Sequence, residues 1–568
     1  MGVLILATCL IALLAVLNYF TALYRNYKYA RKSGLRCLIS PLTPYTWHWQ
    51  VASVLFGPLL ARFRWFRAID WTCAWHDDDA LHRELGLCFV VVSPGYNVLC
   101  TSDAKTTDYV LKKWRDFVKP DNVNGRGLKI LSTFGQNVDT SNGDDWIRHR
   151  KLTAPCFSER ASTVVWGEAL QQSEALLAKW LASPTGRTSS MIKDTSTLAL
   201  NVISSVAFEN HEVNKPAAGH TLSLRDSLVT VMSTSISPAL EGIMPWLKWS
   251  GLQFLLPAQV ENVQLAMREF RQYMDETVIR ERKKTTSSED TKIPNLISTL
   301  IRANDAAKSE DVQSKARLSD SELRGNIFVF TIGGLESTAI TLSYTLAQLA
   351  VNPDIQNWVC EELTQAFGAE DVEYTRVFPK LKRVMAIMYE TLRLYGPSPP
   401  IPRAPKSPNL EIPITSPNKT SKNNATADHT NSTSTFTLPP NTQIMLNSWA
   451  SHTSAQHFPK PKTWDPKRWI APGASLAEEK LLHPTFDSGF YAWGAGPRIC
   501  PGMKFSQVEY TAVLASVLKR VRVGLAGEGA DEQEAREKVL SVLKDSCAEP
   551  LLLHVRKPEE LWVRFEER

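Results

Sequence analysis

Hydrophobic positions crowd the beginning of the chain. From Gly2 to Tyr24 no residue is charged, and most are Leu, Ile, Val or Ala. At about 1.5 Å of rise per residue, such a run crosses a hydrocarbon core of roughly 30 Å. Arg25, Lys28, Arg31, Lys32 and Arg36 follow it. A cleaved signal peptide fits poorly: the run is long, no basic residue precedes it, and no clear small-x-small site closes it. The pattern predicts an uncleaved single-pass anchor and basic stop over residues 1–33. By the positive-inside rule its N-terminus lies in the lumen and residues 34–568 in the cytosol. A second apolar stretch, Tyr45 to Leu60, contains Pro58 and precedes Arg62, Arg64 and Arg67. It is short for a span, and an interfacial or core position suits it better.

Beyond the anchor the strong periodicities are helical. Ser319 to about Leu349 reads as one helix, opened by a Ser319/Glu322 capping box and stopped by Asn352-Pro353. About 30 residues give a rod of roughly 45 Å. Its middle, Ile327 to Ile332, is apolar all round, which predicts a path through the core. Gly333 and Gly334 interrupt it, at roughly 2 kcal/mol relative to alanines. Either a neighbouring helix packs closely there, or the helix is distorted to make room for a ligand. Leu381, Val384, Met385, Met388 and Leu392 mark a second amphipathic helix. Glu390 and Arg393 sit side by side on it. Spacing alone favours an exposed pair worth under about 1 kcal/mol.

Two segments break the pattern. From about Ser407 to Asn441 the chain is rich in Asn, Thr, Ser and Pro, and its middle nearly lacks large apolar residues. It reads as a solvated insertion. Asn418, Asn424 and Asn431 there stand in N-x-Ser/Thr patterns, which a cytosolic domain would not present for glycosylation. Ile236 to Pro257 carries Trp246, Trp249, Phe254, Leu255 and Leu256. Ordinary helix packing and a membrane-dipping entry for lipophilic molecules both suit it.

Composition narrows the class. The apolar fraction of 43% supports a packed core. The net charge of +6 over 568 residues is mild and no long Lys/Arg block occurs, so nucleic-acid binding is not indicated. An anionic membrane surface or an acidic partner remains compatible. Nine widely spaced cysteines without a CxxC make neither a disulfide framework nor a zinc site. A reducing compartment follows, with at least one cysteine reserved for chemistry.

That cysteine stands in Trp493-Gly-Ala-Gly-Pro-Arg-Ile-Cys-Pro-Gly502. Glycines let backbone pass close to something flat and large. A loop of this kind can aim N–H groups at the Cys500 sulfur and tune it as a ligand. Pro501 cannot donate, so Gly502 and later residues must. Arg498 suits an anionic carboxylate.

These residues resemble the cytochrome P450 family. Its haem-binding signature is F-x-x-G-x-R-x-C-x-G, and Trp493, Gly496, Arg498, Cys500 and Gly502 occupy those positions, with Trp in place of Phe. Glu390-Thr-Leu-Arg393 matches the family's E-x-x-R, and Pro466-Lys-Arg468-Trp469 its P-x-R-F/W. Gly333-Gly-Leu-Glu-Ser-Thr338 is similar to its oxygen-activation motif, with Ser337 where the family usually has Thr. Trp146-Ile-Arg-His-Arg150 matches W-x-x-x-R, and Arg403 follows the Pro-rich turn Pro397–Pro402 as in relatives. These elements follow the family order, and the polar insertion at about 407–441 is the main departure.

The resemblance implies a mainly α fold with small β-sheets (α+β), its long central helix over a haem, joined to the N-terminal transmembrane helix. It implies haem b with Cys500 as axial thiolate, and Trp146, Arg150, Arg403, Arg498 and Gly502 around the cofactor. Glu390, Arg393 and Arg468 would form a buried network holding the cysteine loop. Glu336 and Ser337 would relay protons, with Thr338 as understudy. The reaction would insert one oxygen atom from O2 into a lipophilic small molecule, in the manner of microsomal fungal-type enzymes of secondary metabolism. Electrons would come from NADPH through a reductase, at the endoplasmic reticulum membrane. Some of Arg148, Lys151 and Lys504 are expected to meet its acidic surface, and solvated surface charge suits any one of them equally. The loop before Trp146, the stretch Phe328–Leu335 and the turn after Arg393 would line the substrate pocket. Two other readings are a haem-thiolate isomerase or dehydratase that needs no O2, and a non-enzymatic haem-binding membrane protein. The Glu336-Ser337 pair argues against both.

Overall fold

A computed structural model describes residues 2–120, 131–209, 215–233, 258–286, 295–310, 317–367, 372–398, 400–416, 432–485, 487–526, 532–548 and 552–568. The segment Ile236 to Pro257 and the three Asn-x-Ser/Thr sites lie outside the described residues. The chain forms two compact units. One comprises residues 1–125, 399–462 and 484–499; the other comprises 126–398, 463–483 and 500–568. The division falls inside the glycine-rich decapeptide, between Ile499 and Cys500.

The first unit is built on a sheet. Helices α1 (Gly2–Arg31) and α2 (Trp47–Leu60) accompany strands β1 (Cys37–Ile39), β2 (Cys88–Val92), β3 (Asn97–Thr101), β4 (Phe117–Val118), β5 (Ile401–Pro405), β6 (Glu411–Ser416), β7 (Ser432–Thr437) and β8 (Thr442–Leu446). Six strands hydrogen-bond in the order β1-β2-β3-β8-β5-β4. β2 reads Cys-Phe-Val-Val-Val and is buried throughout, as a strand covered on both faces must be. Alternate residues serve opposite faces. Val90, Val92, Leu99, Ile444 and Leu446 pack with Ala30, Leu23 and Tyr27 of α1. Phe89, Val91, Val98, Cys100 and Met445 pack with Trp49 of α2 and with Phe66.

The last turns of α1 are therefore fixed to the sheet. Asn26 is buried and donates to the carbonyls of Ser93, at 2.8 Å, and Pro94, at 3.1 Å. Earlier turns are bare, with Leu4, Leu6 and Ile11 each more than two-thirds exposed. Leu4–Arg31 has the length and hydropathy of a membrane span. α2 has 14 residues, about 21 Å of helix, which is too short to span. It buries Trp49 and Gln50 and leaves Trp47, Val54, Leu55, Phe56 and Leu59 exposed.

The flanks of the expected insertion form strands, which corrects the reading of about 407–441 as a solvated insertion at its two ends. β6 and β7 pair antiparallel from Glu411↔Thr437 to Ser416↔Ser432. Ile412, Ile414, Phe436 and Leu438 join the same hydrophobic cluster as Ala30. These alternating apolar residues outweigh the polar composition around them.

The second unit is helical. Its helices include α3 (Gly143–Thr153), α4 (Glu159–Leu181), α5 (Met191–Phe208), α6 (Asp320–Val351), α7 (Lys382–Leu394) and α8 (Met503–Arg520). α6 is the long helix expected from the pattern. Both halves of its capping box are present, Ser319 accepting from the Glu322 N–H and Glu322 from the Ser319 N–H. α5, α7 and α8 pack against it, and α8 also packs on α4. A three-stranded antiparallel sheet of Val521–Leu525, Val563–Glu567 and Arg187–Thr188 completes the unit. The fold is mainly α with small sheets.

Candidate active site

Each part of the decapeptide is shaped by its glycines. Gly494 and Gly496 have φ of +72° and +68°, conformations that disfavour any other residue. A Cβ at Gly496 would lie 2.6 Å from the Leu111 carbonyl oxygen, so no side chain fits. The loop hangs from Tyr491, whose N–H donates to His452 Nε2 at 2.8 Å. Arg498 closes a single turn from Gly496. In the same unit Arg403 is buried in β5, its Nη1 donating to the Pro402 carbonyl at 2.8 Å.

Cys500 opens the second unit's share of the loop. Its carbonyl accepts from Met503 N at 3.3 Å, and Gly502 is the N-cap of α8. The partial positive charge of a helix N-terminus favours an anion there. A Cβ at Gly502 would stand 3.8 Å from both Cys500 Sγ and Phe157 Cε1. The glycine thus keeps a side chain from standing against the sulfur.

Of the nine cysteines, Cys9 in the apolar N-terminal helix and Cys500 are exposed, and Cys37, Cys73 and Cys360 are half-buried. Cys88, Cys100, Cys156 and Cys547 are buried. Burial pushes the thiols of Cys88 and Cys156 up to about 12. Cys500 is exposed.

α3 brings Trp146 and Arg150 to one face, four residues apart. Trp146 is buried. Arg150 is half-buried: loss of solvent lowers its pKa, and the neighbouring Cys500 raises it. The guanidinium and the thiol therefore belong to one electrostatic environment.

Arg148, expected as a docking residue, serves the core instead. It grips Glu322 bidentately, Nη1 to Oε2 at 2.9 Å and Nη2 to Oε1 at 2.7 Å. The grip holds the Glu322 carboxyl at about 2. Buried His149 adds bonds to Glu322 and Asn326, and Asn326 accepts from Val138 N at 2.9 Å. This clamp ties α3 to the start of α6. Sequence reading missed it because its members are 174 residues apart. Lys151 is exposed, and Lys504 lies 4.2 Å over the Phe378 ring.

Glu390, Arg393 and Arg468 meet. Glu390 and Arg393 are fully buried. Arg393 donates to Glu390 through Nε at 2.9 Å and Nη2 at 2.8 Å. Arg468 Nε, Trp469 Nε1 and Asp465 N add bonds of 3.0, 3.0 and 2.8 Å to the same carboxylate. The exposed pair favoured by spacing alone is thus a five-bonded buried carboxylate. The Trp469 indole was not singled out for this role from sequence.

The two glycines of α6 divide the alternatives left open by the pattern. A Cβ at Gly334 would meet Ile203 Cδ1 of α5 at 3.0 Å, which is close helix packing. A Cβ at Gly333 would have no neighbour within 4 Å, and Gly333 is exposed although Ile332 and Leu335 near it are buried. One turn on, Ser337 donates to the Gly333 carbonyl at 2.6 Å. Glu336 is half-buried, and loss of solvent pushes its carboxyl up to about 7. Thr338, the next residue, is 1% exposed, on the buried side of the helix. Phe328 is fully buried against Phe134 and Phe270 at 4.6 and 5.8 Å. That makes it core rather than pocket lining.

Comparison with known proteins agrees with this layout. The family model described as Cytochrome P450 matches residues 57–414 and 415–547. The chain is 28% identical over 553 residues to "Cytochrome P450 monooxygenase ORF6" of Penicillium roqueforti, covering 90% of this chain and 89% of that one. It is 28% identical over 551 residues to "Cytochrome P450 monooxygenase prx9" of Penicillium rubens, with 90% and 89% covered. It is 28% identical over 466 residues to the "Phomenoic acid biosynthesis cluster cytochrome P450 monooxygenase" of Leptosphaeria maculans, with 76% and 75% covered. A match over nearly everything after the N-terminal helix, joined to an accessible cysteine in the signature loop, places this chain in the cytochrome P450 family of haem-thiolate monooxygenases.

Proposed function

We propose that Cys500 is the thiolate ligand of haem b, and that the enzyme oxidises a lipophilic small molecule of secondary metabolism at the endoplasmic reticulum membrane. The observation that carries this reading is the exposed Cys500 thiol at the N-terminus of a helix whose body is buried. The donor set fits the group: an accessible sulfur, a guanidinium in its electrostatic field, and a central helix stripped of side chain at Gly333. Trp146, Arg150, Arg403 and Arg498 would hold the cofactor, the arginines through its propionates. Bound there, haem supplies dioxygen activation, to which a thiolate contributes electron density.

The chain's own residues supply protons and order. Glu336 can exchange a proton near neutral pH. Ser337 has its hydroxyl hydrogen on the Gly333 carbonyl, which leaves its oxygen as an acceptor for a proton donor on the open side. Glu390, Arg393 and Arg468 fix the segment around Thr463–Trp469.

α1 is the single span in this reading, with the catalytic part in the cytosol. The bare apolar side of α2 rests in the headgroup region. Electrons come from NADPH through a membrane-bound reductase, with Lys151 and Lys504 among its contacts. The Leptosphaeria maculans relative, named for a biosynthesis cluster, supports the metabolic assignment.

The test is reconstitution with an NADPH-dependent reductase. A lipophilic compound that perturbs the haem spectrum should be consumed only with NADPH and O2. Turnover that persists without both would favour the isomerase or dehydratase reading.

A further inference from the structure

The side chains of His149 and His220 are both 0% exposed, yet they hold opposite kinds of bond. At His149 the Asn326 amide decides the protons. Its oxygen accepts from Val138 N–H, so its nitrogen donates to His149 Nδ1 at 2.8 Å. Nδ1 is thereby an acceptor, and Nε2, 3.3 Å from Glu322, carries the one N–H of a neutral ring. At His220 both nitrogens face carboxylates. Nδ1 lies 2.8 Å from Glu269 Oε2, and Nε2 lies 3.1 Å from Glu276 Oε2. A carboxylate only accepts, so this geometry is satisfied when both ring nitrogens carry hydrogen.

Residues 215–223 form a strap on the helix Ala258–Thr286, whose Glu269, Tyr273 and Glu276 share a face at helical spacing. The His220 ring lies flat on Tyr273, centroids 3.6 Å and planes 12° apart. Tyr273 Oη accepts from Ala217 N–H at 3.1 Å and donates to the Leu222 carbonyl at 2.9 Å. Thr221 N–H gives Glu269 a second bond of 3.2 Å. Gln272 holds the other oxygen of Glu276 at 2.8 Å. The strap ends at Ser223, which accepts from Asp226 N–H at 3.0 Å and so fixes the start of the helix Leu224–Ser233. Burial works against both carboxylates. The bonds they accept outweigh it, from His220 first at Glu269 and from Gln272 and then His220 at Glu276, and both stay below the ordinary carboxylate value. The other charges here are Arg280 beside Glu276, Asp226 beside Tyr273, its neighbour Arg225, and exposed Lys215 on the strap. From the other helices packed on Ala258–Thr286, Arg324 of α6 pairs with Asp275, and Asp305 of Leu296–Glu310 with Arg282.

We propose that His220 is an imidazolium clasp that closes the strap on the helix Ala258–Thr286, and that loss of its proton as pH rises frees the strap and the head of the helix Leu224–Ser233. A neutral imidazole keeps one N–H. Its bare nitrogen would then face a carboxylate, acceptor against acceptor, and one of the two bonds must go. Glu276 is the partner that yields. Its bond is the longer, and its side chain is 50% exposed against 10% for Glu269, which Thr221 also holds. The clasp is therefore closed in acid and opens with base. It uses none of the residues assigned to the haem or to the proton relay.

The test is amide hydrogen exchange of the ferric holoenzyme, read by mass spectrometry on peptides covering 215–233, from about pH 5 to about pH 9. Each rate is divided by the intrinsic rate at that pH. In the wild type the protection of these amides should fall about tenfold as pH rises. His220→Gln has no such proton to lose, so its protection should be low and flat across the range. Glu276→Gln should do the reverse. Its carboxamide can donate to a bare imidazole nitrogen, so protection at the alkaline end should stand severalfold above that of the wild type. A merely structural histidine would give neither the slope nor the rescue. Wild-type protection that does not change with pH, a fall that survives in His220→Gln, or an alkaline end no better in Glu276→Gln would each overturn the proposal. If His220→Gln fails to fold, the wild-type profile and Glu276→Gln decide.

Discussion

Two adjacent rows of the central helix do opposite jobs. Gly333 and Ser337 form one row: a Cβ on the glycine would have no neighbour within 4 Å, and the serine bonds back to the glycine's carbonyl. Gly334 and Thr338 form the next, the glycine pressed on Ile203 and the threonine buried. One residue of offset turns the helix by about 100°, enough to pass from an open side to a sealed one. The same pair of residue types, glycine then hydroxyl, is thus used for access in one row and for packing in the other. Glu336 sits beside the open row, with an acidity tuned near neutrality by burial.

The contrast can be broken most forcefully at Glu336. Glu336→Gln should lower coupled turnover about 100-fold, the low end for loss of a positioned acid or base, while leaving the haem spectrum in place. The wild type should lose relay capacity as pH rises through about 7, where Glu336 gives up its proton. A pH profile of product formed per NADPH checks both. The sign for stability follows. The folded-state pKa lies above the unfolded value, so folding retains a proton that unfolding releases. Stability attributable to Glu336 is full below about pH 4 and falls until about pH 7, by at most about 1.4 kcal/mol per unit.

The glycines give a smaller effect, read in denaturant melts. Gly334→Ala must push Ile203 aside and should cost about 1–3 kcal/mol. Gly333→Ala meets nothing and should be neutral or gain up to about 1 kcal/mol from helix propensity. It should instead weaken spectral shifts by lipophilic ligands. Equal costs at the two positions would erase the distinction between the rows. Smallest of all is Ser337→Thr. The added methyl restricts the hydroxyl rotor, and peroxide released per NADPH should fall about twofold or less.

The sequence was most legible where a local pattern carries its own physics. The capping box, the length of α6 and the exposed turns of α1 follow from spacing and charge alone. The paired glycines were legible as an anomaly but not as two separate answers, because Ile203 is distant in sequence. The Arg148 clamp and the β6–β7 hairpin were misread for the same reason. A basic residue reads as surface, and a polar stretch as solvated, until a remote partner is known.

The measurement that tests the account most directly is the reduced carbon-monoxide difference spectrum of purified wild type beside Cys500→Ser. A thiolate-ligated band in the wild type, absent from the serine variant, is the predicted result. A folded, haem-replete wild type without that band would contradict Cys500 as the ligand, and the roles derived from it would go too.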